Sequence, residues 1–117
     1  MAFLHKNDLY DLPNRLRPKC HRSGTTYKAA YGRLKWDEPA NTITSGFGSP
    51  GQGRYVHPSN IRTLTPHEAA RLQFFPDYFD FGDETKTSLA RMIGNAVPSK
   101  LSYIFCMEIL SSSGINK

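Results

Sequence analysis

The side chains here that could act as nucleophiles, bases or metal ligands include two cysteines and four histidines. Cys20 and Cys106 lie far apart and form no CxxC pair, so neither a disulfide framework nor a zinc site is expected. Cys20 reads as a surface or half-buried thiol and Cys106 as a packing residue inside an apolar helix. His57 stands before Pro58 and His67 in the second position of an expected helix; neither has triad or metal-ligand spacing around it. No catalytic residue and no metal is therefore assigned. What remains is contact chemistry. Gly46, Gly48, Gly51 and Gly53 punctuate a loop between short extended segments. Such a loop lets backbone come close to a partner, although a plain mobile hairpin is the commoner case for a stretch of this kind. The cations are unevenly placed. Residues 1–36 hold eight basic residues against Asp8 and Asp11, while the rest of the chain holds seven basic and eight acidic ones. A basic block beside a near-neutral one suits either a polyanion contact or a solvated basic surface.

The elements that must position these residues are short. The chain has 117 residues, with nine glycines and eight prolines. That allows one small domain with a modest core. Leu9 to Leu12 is expected as a helical turn and Arg15 to Thr26 as an exposed arm. Tyr31–Trp36, Asn41–Thr44 and Arg54–His57 read as short strands. Thr65-Pro-His-Glu68 is a capping box with proline at the first helical position, so a helix is expected from about Pro66 to Gln73. Phe75, preceding Pro76, would end it. A second helix is expected from an Asn95 N-cap to about Ser112, apolar on nearly all sides. Such a helix is usually buried in something larger than this polar chain provides. The apolar run Leu101–Leu110 is too short to cross a bilayer. Met1 to Leu12 has no continuous apolar stretch of the signal-peptide kind.

Three stretches together resemble the DNA cytosine-C5 methyltransferases. Arg62-Thr-Leu-Thr-Pro-His-Glu-Ala-Ala-Arg-Leu-Gln-Phe-Phe-Pro-Asp77 is similar to the ninth conserved motif of that family, and Ile93-Gly-Asn-Ala-Val-Pro98 to the tenth. Tyr31-Gly-Arg-Leu-Lys-Trp-Asp-Glu-Pro-Ala-Asn-Thr-Ile-Thr44 resembles the end of the target recognition region in one branch. The resemblance covers about residues 31–110. The family's Phe-x-Gly-x-Gly donor loop, its Pro-Cys nucleophile and its Glu-Asn-Val motif do not occur in this sequence. The chain is thus expected as a C-terminal portion that is inactive alone.

The resemblance implies an α+β fragment of a Rossmann-like methyltransferase. Residues 1–63 would form part of the recognition region, with short antiparallel strands and a basic arm. Residues 64–117 would hold two helices, the last packing on the missing catalytic domain. It implies S-adenosyl-L-methionine as cofactor, with Asn95 and Ala96 closest to it, and double-stranded DNA as partner. Arg33, Thr42, Thr44, Ser45, Gly46 and Arg54 would touch DNA. Arg62, Glu68, Arg71 and Gln73 would organise the recognition region, through an Arg62–Glu68 or Glu68–Arg71 ion pair. The other expected partner is an N-terminal catalytic half or subunit. A catalytically inactive remnant, or a module that forms a homodimer through the C-terminal helix, stays open beside this. A cytoplasmic, nucleoid-associated or phage-encoded protein with no membrane contact, serving restriction-modification, follows from the family branch.

Overall fold

The computed structural model describes residues 1–22 and 29–114. Residues 23–28, which include the end of the expected arm and Lys28, lie outside the described residues. Four α-helices follow one another: α1 (Ala2–Lys6), α2 (Pro66–Leu72), α3 (Lys86–Asn95) and α4 (Ser99–Ser112). Single 3-10 turns occur at Asn14–Leu16, Lys19–His21 and Pro50–Gln52.

The expected antiparallel strands do not form among the described residues. Val56 instead makes two isolated bridges, parallel to Arg33 and antiparallel to Thr63. Prolines 39, 50 and 58 and the glycines between 46 and 53 interrupt the segments before a ladder can extend. The bridges are still anchored. Leu34 N–H donates to the Val56 carbonyl at 2.9 Å, and Val56 N–H to that of Gly32 at 3.1 Å. Leu64 N–H donates to the Tyr55 carbonyl at 3.0 Å. Val56 itself is completely buried.

The first helix also departs from expectation. Leu9 to Leu12 is not helical, and α1 lies earlier. Asp8 takes a left-handed backbone (φ 47°), which ends α1, and Pro13 disfavours helix at the residue before it.

α2 forms where its cap predicts. Thr65 Oγ1 accepts from Glu68 N–H at 3.2 Å, and the Glu68 carboxylate accepts from Thr65 N–H at 2.8 Å. The helix ends in a Schellman motif: Phe75 N–H reaches the Ala70 carbonyl and Phe74 N–H that of Arg71. Phe74 occupies the left-handed position (φ 62°) that glycine usually fills.

The C-terminal part holds three helices, not two. α3 was not foreseen, although Thr85 accepting from Ser88 N–H caps it and Leu89, Met92 and Ile93 recur at helical spacing. Asn95 is the last residue of α3, not the N-cap of the final helix. The cause is Pro98: Val97 before it disfavours helix, so the chain extends at Ala96 (ψ 142°) and restarts as α4 at Ser99.

The stretches on either side of residue 63 share one core. Leu34, Ile43, Phe47 and Tyr55 pack with Leu64, Ala69, Ala70 and Ile93. Burying Ile93 fully contributes about 1.5–3 kcal/mol. Two alanines on α2 let it approach closely, and α2 packs on α3. Phe75, Phe79 and Phe81 contact one another ring to ring beside this core, with centroids 4.8–5.0 Å apart.

Among the described residues, α4 packs against no other helix. None of its fourteen residues is buried. Leu101, Tyr103, Ile104, Phe105, Met107, Ile109 and Leu110 are all exposed, and so is Cys106, which corrects its expected packing role. Cys20 is exposed as well. No helix of the described residues is long and apolar enough to cross a membrane.

Candidate functional site

The turn at Thr42–Gly46 is held from below and polar above. Ile43 and Phe47 are its buried anchors, while Thr42, Thr44 and Ser45 are exposed. Tyr55 organises it through a hydroxyl chain. Its phenol donates to the Thr42 carbonyl at 3.0 Å and lies 3.0 Å from Thr44 Oγ1, which accepts in turn from Gly46 N–H at 3.3 Å. The Thr44 hydroxyl then donates to Tyr55, the one arrangement in which each proton has a distinct acceptor. Tyr55 belongs to this site although its sequence position showed only an extended segment.

The turn at Asn95–Ala96 adjoins it. Gly94 lies against the backbone of Thr44 and Ser45, and a Cβ at Gly94 would run into both. Gln73 holds the same turn from the other side. Its buried carboxamide nitrogen donates to the Ile93 carbonyl at 3.0 Å and to that of Ala96 at 3.2 Å. Asn95 is exposed and its carboxamide has no hydrogen-bond partner among the described residues; Ala96 is half-buried and Val97 exposed. An unpaired carboxamide beside an exposed valine suits one edge of a ligand with polar and apolar parts. Asn95 closes a helix here, so the free amides of a helix start, expected around it from the sequence, belong instead to the first turn of α4.

Arg33 and Arg54 turn inward. Arg33 is buried, its Nη2 donating to Asp8 at 2.5 Å and its guanidinium 4.5 Å from the Tyr10 ring centre. Arg54 donates to the carbonyls of Tyr10 and Arg33, each at 3.1 Å, and to Asp11 at 2.7 Å. Both clamp the segment 8–11 onto the body. Both are expected from the sequence to touch DNA; here their guanidinium groups bond to the chain itself. Arg15, Lys19 and Arg22 are the basic residues of the arm that lie exposed.

Arg62, Glu68 and Arg71 lie in a network of ion pairs on and beside α2. Arg62 forks onto both carboxylate oxygens of Glu68, each bond 2.7 Å, and also donates to the Thr63 carbonyl. Arg71 does not join Glu68; it pairs bidentately with Asp77, 3.7 Å from His67. The Arg62 fork, aided by Thr65 N–H, pulls the Glu68 carboxyl down to about 2 against the opposing effect of burial. Arg71 likewise holds Asp77 below the usual carboxylate range.

His57 is a buried part of this network that the sequence did not reveal beyond its place before Pro58. Its Nδ1 accepts from Ser59 N–H at 3.0 Å and Asn60 N–H at 2.9 Å, which shapes the turn that links Val56 to Thr63. Its Nε2 lies 3.5 Å from Glu68 and its ring meets Trp36 edge-on. Burial is the main reason its pKa is lowered, with Glu68 opposing. No three His, Cys, Asp or Glu side chains gather into a metal-ligand set among the described residues.

The sequence comparisons agree in kind. The family model of C-5 cytosine-specific DNA methylases matches residues 4–111. A type II methyltransferase of Bacillus subtilis, M1.BsuMI, is 58% identical over 111 residues, covering 94% of this chain and 26% of that protein. A type II methylase of Herpetosiphon aurantiacus, M.HgiDII, is 39% identical over 104 residues, covering 85% of this chain and 29% of its own length. A DNA (cytosine-5)-methyltransferase 1 of Gallus gallus is 40% identical over 86 residues, 72% of this chain and 6% of the relative. The chain thus spans under a third of each of these relatives. With a match over nearly its whole length, this chain belongs to the C-5 cytosine-specific DNA methylase family.

Proposed function

We propose that this chain forms the DNA-contacting end of a DNA cytosine-C5 methyltransferase and one edge of its S-adenosyl-L-methionine pocket. The observation that carries the reading is the contact at Gly94, which sets the turn with the exposed Thr42, Thr44 and Ser45 against the end of α3, next to the exposed Asn95. Small hydroxyls with a glycine beside them approach a phosphate or a base edge at short range. Tyr55 pre-orients the Thr44 hydroxyl for that contact. Asn95 and Ala96 face the cofactor, which supplies the methyl group when bound. Arg33 and Arg54 act indirectly, by fixing the segment that leads into the basic arm. Arg15, Lys19 and Arg22 supply phosphate contacts, and each steepens the salt dependence of DNA binding by about one unit.

In this reading the target cytosine leaves the duplex for a pocket. The thiolate that attacks it comes from a catalytic part carrying the Pro-Cys motif, absent from this sequence. The bare face of α4 is the surface for that part, and type II restriction-modification is the setting that the two bacterial relatives suggest. Self-association through α4 is the second reading, favoured by the same exposure.

The test is a chimera. This chain replaces the matching stretch of the Bacillus relative, and transfer of labelled methyl from S-adenosyl-L-methionine to unmethylated DNA is measured. Activity restored over the truncated relative supports the proposal. A folded, soluble chimera with no transfer overturns it, and a stable dimer of the chain alone by light scattering turns the balance to the second reading.

A further inference from the structure

The strongest unexplained arrangement is the joint between the two turns. Gln73 sits at the end of α2, in the ninth-motif stretch, yet its carboxamide donates to carbonyls on both sides of Asn95. A buried amide that meets two acceptors at once leaves little freedom in the turn it spans. Gly94 removes the remaining freedom. Its missing side chain lets the end of α3 sit directly on the Thr44–Ser45 backbone. Ile93 beside it is completely buried, and Ile43 and Phe47 flank the opposing turn in the same core. The two turns therefore cannot shift independently. Displacing Ser45 pushes on the end of α3, and the push reaches Asn95 one residue later.

We infer that Gln73 and Gly94 are positioning residues that couple the two ligands of the site. Duplex DNA settling on Thr42–Gly46 sets the Asn95–Ala96 turn in its cofactor-binding position, and cofactor sets the DNA turn in return. Linkage requires that effect to be reciprocal. The inference rests on the proposal that these turns face those ligands, and goes beyond it by assigning the joint between them. Gln73 and Gly94 touch neither ligand; they act through Asn95 and Ser45.

The parent protein of the experiment is the chimera in which this chain replaces the matching stretch of the Bacillus relative. The probes are S-adenosylhomocysteine and sheared unmethylated double-stranded DNA. The dissociation constant of the nucleoside is measured by calorimetry with and without saturating DNA. The expected ratio is roughly fivefold or more in the parent protein. Gln73→Met keeps the side-chain volume but removes both donated hydrogen bonds, and it should bring the ratio close to one. A loss of structure alone would weaken both single-ligand affinities and leave the ratio as it was. Gly94→Ala should act as Gln73→Met does; if it fails to fold, Gln73→Met decides. A parent ratio of one with both ligands bound, or an unchanged ratio in Gln73→Met, overturns the coupling and leaves the functional reading standing. No binding of either probe removes that reading, and the coupling with it.

Discussion

Glu68 is charged under nearly all conditions because the Arg62 fork and the Thr65 amide both stabilise its carboxylate. The consequence for stability has a definite sign. The folded value is about 2 against an ordinary 4.5, so the carboxylate contributes fully above about pH 4.5 and its contribution disappears as pH falls toward 2. Urea midpoints measured from pH 5 to pH 2.5 should fall, and Glu68→Gln should flatten that fall. Asp77, also lowered, leaves a residual slope. Gly94 makes a second residue-scale prediction. Gly94→Ala forces backbone to move at Thr44 and Ser45 and should cost about 1–3 kcal/mol in a thermal melt. Gly48→Ala meets nothing within 4 Å and should be nearly silent. Individual side chains were unevenly legible in the sequence. The Arg62–Glu68 pair was among the alternatives because six residues separate a cap acid from a flanking cation. The pairs of Arg33 with Asp8 and of Arg54 with Asp11 were not legible, because the acids lie far upstream and only the folded chain brings them to the cations.

Helices announce themselves through their ends, and that governs what could be foreseen of the elements. α2 was readable because its capping box is local chemistry. Thr65→Ala removes the side-chain acceptor from this box and should destabilise the fold by about 1 kcal/mol. A lowered denaturation midpoint with an unchanged urea slope would show it. α3 escaped notice because its cap, Thr85, follows a polar stretch and its apolar stripe is only Leu89, Met92 and Ile93. Asn95 was misplaced because asparagine suits either end of a helix, and the choice was made by Pro98 three residues on. The strands were over-read for a different reason. Val56 does bridge Arg33 and Thr63, but a bridge needs partners in register on both sides for more than one residue to become a ladder.

The described chain is extended for its size. Its radius of gyration is 17.4 Å, with a longest dimension of 61 Å. A compact chain of this length would have a radius of about 13 Å. The difference fits a helix, α4, with no helical neighbour and no buried residue. Its own contacts contribute little to the stability of the chain. Phe105→Glu and Ile104→Glu should therefore leave the melting temperature of this chain almost unchanged. In the chimera with the Bacillus relative, the same changes should reduce methyl transfer at least tenfold, about 1.4 kcal/mol of lost docking. A large effect on the melting temperature instead would mean that α4 folds back onto its own chain. This apolar helix was legible in the sequence as one needing a larger body to cover it.

The joint at Gly94 also has a history within each molecule. Ser45 and Gly94 are about fifty residues apart along the chain, so bringing them together closes a long loop and carries a substantial entropic cost. α2 and α3 are neighbours in sequence and meet far more cheaply. Assembly should then be ordered in time. The helix pair forms first and presents its glycine as an empty seat, and the 42–46 turn arrives last. In pulse-labelled hydrogen exchange, protection of Gln73 and Ile93 should precede that of Gly46 and Phe47. While the joint is closed the two turns move as one, and in local unfolding the late-arriving turn should be the first to open.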